Sequence, residues 1–278
     1  MIRLLSIELQ KIYLNRASRI LTATYFVLLM LISLIAVIKF DIGPIKFHLA
    51  EMGIFNFPYI WHLNTYIAAI LKLFLAIIIV SMMANEYSYG TLKQNLIDGL
   101  SKKELLLSKF LTVMLFSAVS TLFIFILCLI LGYSYSSYTE IGIVFTDVDY
   151  LLAYFVKLVG FFSFCLFLGI LIKRSAFALG FLLLWNIIEG IGGLLLHQVI
   201  FPKDPIADKI YGFFPLEAMS NLIHEPFRRL SAVKTVETQI GIKNVQDFSV
   251  DYGSVLIVIC WTAIFLFLSF RILKKRDL

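Results

Sequence analysis

Long apolar runs alternate with short charged stretches along the whole chain. Six of the runs approach or exceed the roughly 20 residues that a bilayer-spanning helix needs. They lie at about 20–38, 66–84, 105–132, 150–172, 176–199 and 253–270. The first has a charged lead of 19 residues, and no small-x-small cleavage site follows Ile38, so an uncleaved span is expected rather than a signal peptide. Within that lead, Ile2, Leu5, Leu9 and Ile12 recur on one helical face, with Arg3, Gln10 and Lys11 off it. This periodicity predicts an interfacial helix within 1–19, with a plain extension of the first span as the simpler alternative.

Composition agrees with that pattern. Apolar and aromatic residues make up 60% of the 278 positions and charged residues 15%. A soluble domain carries about 45–50% and 25% of these classes. The expected fold is an all-α membrane protein, one domain over 1–278, with six transmembrane helices.

The net charge of +6 could suggest nucleic acid, but its distribution argues otherwise. The segments that share a side with both termini hold 14 Lys and Arg, including Lys109 at the head of the third span. The other segments, 39–65, 133–149 and 200–252, hold 8, and acidic residues lean the opposite way, 5 against 12. The bias predicts cytoplasmic termini and no nucleic-acid partner; a bacterial-type cytoplasmic membrane is the expected location. Phe55, Phe57, Tyr59, Trp61 and Tyr66, and then Tyr133, Tyr135 and Tyr138, suit a membrane–water interface; a carbohydrate platform is the alternative. In the segment 200–252, Phe214-Pro215 is expected to open a short helix with Leu216, Met219 and Ile223 on one face.

The loop between the second and third spans has its own pattern. Leu92, Leu96 and Leu100 are spaced by four, and Gly99 is a natural helix stop. Ser101 and Glu104 then form an S-x-x-E capping box, with Leu100 and Leu105 at the staple positions. These signals predict a short amphipathic helix, a sharp turn and a new helix from about Lys102. Such an element either docks a partner or merely seats the bundle.

Glu86, Gly90-Thr91-Leu92, Gly99-Leu100-Ser101-Lys102 and Lys109 together resemble the membrane subunits of type-2 ABC transporters. The six spans, the leading interfacial helix and the large segment before the last span resemble that family too. Its turn usually carries a proline, which is absent here. The resemblance implies that 86–104 is a coupling helix received by a separate ATPase subunit, with Glu86, Gly90, Thr91, Leu92, Leu96 and Gly99 carrying the coupling. Leu92 and Leu96 would enter the partner's groove, and Glu86 would hold the loop by pairing with a basic residue. It further implies a permease dimer, formed with a second copy or a related chain, that exports a substrate not identified by sequence.

No GxxxxGK[ST] loop occurs, so ATP is expected to be used by the partner and no cofactor to be bound directly. No HExxH or GxSxG is present, and His48, His62, His197 and His224 show no acyl-transfer spacing. Cys128, Cys165 and Cys260 lie in apolar runs without zinc spacing, so no metal site is expected. The chain is therefore read as a non-enzyme; an assembly anchor without transport and, more remotely, an intramembrane enzyme stay as alternatives.

Lys72, Lys157 and Glu189 fall inside spans, where charge is costly and marks function or pairing. Glu189, beside Asn186, is expected either to face an internal pathway or to pair with Lys72 or Lys157.

Overall fold

The computed structural model describes residues 2–38, 40–42, 45–47, 53–202, 204–229 and 248–276. His48 and part of the 200–252 segment lie outside them. The described chain is almost wholly helical. Five helices are long and apolar enough to cross a membrane, and a bent pair supplies a sixth if counted as one span, so this is a multi-pass integral membrane protein.

The helices are α1 (Ile2–Leu14), α2 (Arg16–Ile35), α3 (Tyr59–Leu71), α4 (Leu73–Ser88), α5 (Thr91–Ile97) and α6 (Lys102–Tyr135). After them come α7 (Ile141–Val144), α8 (Asp149–Ile172), α9 (Ser175–Leu195), α10 (Ile206–Tyr211), α11 (Pro215–Asn221) and α12 (Tyr252–Lys275). A π turn, Leu196–Ile200, extends α9. A short antiparallel pair, Phe40–Ile42 with Ile45–Phe47, lies between α2 and α3 and has no counterpart in the sequence expectation.

Two boundaries differ from expectation. The leading segment 1–19 is split at Asn15, whose side-chain oxygen accepts from the backbone of Ala17 and Ser18 and so starts α2 at Arg16. The stretch expected as the second span is two helices that meet at Lys72 with a 42° bend, the first starting at Tyr59 rather than at 66. The capping box is present at Ser101: Glu104 N–H donates to Ser101 Oγ, and Ser101 N–H to the Glu104 carboxylate.

The most enclosed span is α8, which packs against α3, α4, α6, α9 and α12. A hydroxyl triad sits beside it. Tyr25 on α2, Ser120 on α6 and Tyr154 on α8 lie 2.5–2.8 Å apart, so each buried O–H has a partner. By contrast α2, α9 and α12 leave Leu31, Ile188 and Phe267 among many exposed apolar side chains, as a lipid-facing surface requires.

Helix α1 and the last described residues after α12 lie at one end of the bundle. Arg276 donates to Tyr87 Oη at 2.6 Å and to the carbonyls of Ile170 and Leu171 in the last turn of α8, while Lys102 donates to the Arg276 carbonyl. At the opposite end Arg229 bonds Asp147 at 2.7 Å, and His62 contacts the His224 carbonyl at 2.8 Å.

Candidate functional site

The terminal end of the bundle holds a buried charge cluster around Glu86. Lys11 on α1 and Lys109 on α6 both reach Glu86 Oε1 at 2.7 Å. On the other carboxylate oxygen, Thr91 Oγ1 and Asn95 Nδ2 donate from α5 at 2.5 and 3.2 Å. One carboxylate thus fastens the short helix to α4, α1 and α6 and uses all its acceptor capacity.

Lys109 is fully buried and also meets Glu8 Oε2 at 2.6 Å; Glu8 takes Lys11 at 3.3 Å. Two acids and two ammoniums cancel, which is what makes such burial tolerable. Lys11 is the most exposed member. Burial works against its charge, but the hydrogen bond to Glu86 and the field of Glu8 prevail and hold the ammonium above the ordinary lysine range.

The backbone around α5 is shaped by two glycines. Gly90, at φ +70°, turns the chain out of α4. Gly99, at φ +95°, ends α5: its N–H bonds the Leu96 carbonyl and the Leu100 N–H bonds that of Asn95. This 6→1 and 5→2 pair is a Schellman motif, and its left-handed residue is best met by glycine.

The placement of the leucines corrects the sequence expectation. Leu92 is 2% exposed and belongs to this chain's own core, so it is not available to a partner. Leu96 is half-buried. The apolar side chain that α5 presents outward is Ile97, 82% exposed, with Lys93, Gln94 and Asp98 around it. Leucine spacing identified the amphipathic face, but the core claims part of it.

Two members of the cluster and of the loop were missed. Glu8 lies in α1 one residue before Leu9 of the expected apolar face, where periodicity alone reads it as a solvated acid. It is the helix's most buried described side chain. Asn95 lies off the leucine spacing, which carries no signal for it. The signal for Glu8 would have been a charge balance: Glu86, Lys109 and Lys11 need a second acid.

The second group of expected residues separates into two. Glu189 pairs with neither lysine. Its carboxylate accepts from Leu216 N–H at 3.0 Å, from Glu217 N–H at 3.2 Å and from the Trp185 indole. It thereby satisfies the free N–H groups of the first turn of α11, which Pro215 opens. Lys72, Lys157 and Asn186 line one cavity of about 360 Å³ with Tyr66, Phe161 and Ser220. Among the described residues no group of three or more His, Cys, Asp or Glu could hold a metal ion.

The sequence pattern of a family described as "Protein of unknown function (DUF2705)" matches residues 26–278. Nothing matches among the curated proteins.

Proposed function

We propose that this chain, which belongs to the DUF2705 family, is the transmembrane subunit of an ATP-driven ABC exporter of type-2 architecture. The single observation that carries the reading is the Glu86–Lys109–Glu8–Lys11 cluster. A loop that only joined two spans would not need a saturated carboxylate binding it to three helices. A loop that receives force does, because a push on α5 must reach α1, α4 and α6 together.

In this reading the end that carries the termini is cytoplasmic, in keeping with its excess of Lys and Arg. The outward face of α5, centred on Ile97, docks a separate nucleotide-binding subunit. ATP binding there closes the ATPase pair, and a dimer of membrane halves changes its access. The two states must differ in their contacts with the ATPase for any such coupling to operate.

Purification of the tagged full chain from its native membrane tests the reading. An ATPase subunit is expected to accompany it, and Ile97→Asp is expected to release that subunit while the chain stays monodisperse. Recovery of the intact wild-type chain with no ATPase would overturn the proposal.

A further inference from the structure

Lys72 and Lys157 are charges at span depth that neither the buried cluster nor Glu189 uses. Lys72 sits at the bend between α3 and α4, its Nζ 4.6 Å from the centre of the Phe161 ring. Lys157, on α8, is 5% exposed, and its Nζ has one long contact, 3.4 Å to the Ser220 carbonyl. Each ammonium offers three donors, so most remain without an acceptor.

Among the described residues neither lysine has a carboxylate within 4 Å, and none lines their common cavity. The two charges repel each other, and Glu217, whose field reaches Lys157, stands outside the lining. At this depth a lysine keeps its charge only where an anion meets it.

The rest of the wall says which anion. Asn186 adds a neutral amide. The remaining lining includes Ile70, Leu73 and Leu183, each exposed on spans whose outer surface is apolar. A small soluble anion gains nothing from such a rim, whereas hydrocarbon chains continue over it into the bilayer.

We infer that this cavity binds the headgroup of an anionic membrane lipid. Its phosphate sits between Lys72 and Lys157, and its acyl chains leave across Ile70, Leu73 and Leu183. The inference concerns binding alone and does not rest on coupling to an ATPase.

Native mass spectrometry of the delipidated full chain, titrated with phosphatidylglycerol or phosphatidylcholine, tests it. The anionic lipid is expected to bind at least about ten-fold more tightly than the zwitterionic one. Losing a charge-assisted hydrogen bond should cost a similar factor, so Lys72→Gln and Lys157→Gln should each weaken phosphatidylglycerol roughly ten-fold. Lys72→Arg should retain it. If the glutamine variants fail to fold, the wild-type preference decides alone: equal binding of the two lipids overturns the proposal. Unchanged affinity in folded glutamine variants overturns it too. Displacement of the lipid by inorganic phosphate at equal concentration would replace a lipid site by a soluble-anion site and so also overturn it.

Discussion

Lys109 and Glu8 meet at 2.6 Å across 101 positions of sequence, and both are buried. The contact joins α1 to α6 through a pair that water does not screen. Truncating Lys109 to Met leaves Glu8 with Lys11 alone and strips Glu86 of its closest enclosed cation. Breaking a buried pair from one side costs about 3–5 kcal/mol. Lys109→Met should therefore lower the thermal stability of the purified protein sharply, and adding Glu8→Gln should recover part of the loss. Strict additivity of the two changes in a thermal-shift double-mutant cycle would deny the coupling.

The two apolar ends of α5 should behave oppositely. Leu92→Asp places an uncompensated carboxylate in the core and should impair folding. Ile97→Asp changes a surface position and should move stability by no more than about 0.5 kcal/mol. Size-exclusion profiles after graded heating distinguish them. A folded Leu92→Asp beside an aggregated Ile97→Asp would reverse the assignment of faces.

Glu189 should act on α11 rather than on the lysines. Glu189→Gln turns charge-assisted acceptors into weaker neutral ones and is expected to destabilise by about 1–3 kcal/mol. Lys72→Met should add to it independently, within about 0.5 kcal/mol, because Lys72 rests on the Phe161 ring and shares no partner with Glu189. A strongly non-additive pair in thermal melts would restore the ion pair that the sequence suggests.

At the start of α12, the Ser254 hydroxyl donates to the Asp251 carboxylate, as do the N–H groups of Ser254 and Gly253. These bonds, the hydroxyl first, hold Asp251 below its ordinary value of 3.8. A depressed acid stabilises the fold above its unfolded value and loses that contribution as pH falls through the lowered one. Protection of the Ser254 amide, measured relative to its intrinsic exchange rate at each pH, should thus fall below about pH 4. Asp251→Ala should remove that acid dependence and cost about 1 kcal/mol at neutral pH. Identical pH profiles for the two proteins would show that the cap contributes nothing.

Much of this was legible from local chemistry. The apolar runs located the spans because hydrocarbon allows no other solution for a helix. Ser101 with Glu104, and Gly99, marked the turn because caps act within three or four residues. The break at Lys72 and the inward turn of Leu92 were not legible, since each depends on what packs against it from another helix. Glu8 was hidden for the same reason. Its burial follows from Lys109, and nothing within a turn of Glu8 refers to that residue. Glu189 stands out in the sequence as a charge inside a span, yet its partners include backbone groups of α11, which no side-chain pattern can name.

Helix α6 runs unbroken for 34 residues, about 50 Å at 1.5 Å per residue, while the hydrocarbon core is about 30 Å thick. Its first turn, next to Ser101, therefore stands beyond the membrane or the whole rod tilts. With its first turn outside, α6 has the geometry of a lever whose handle lies beyond the lipid. Rotation about a pivot within the bilayer moves Tyr135 in the direction opposite to Ser101, by a distance set by the ratio of the two arms.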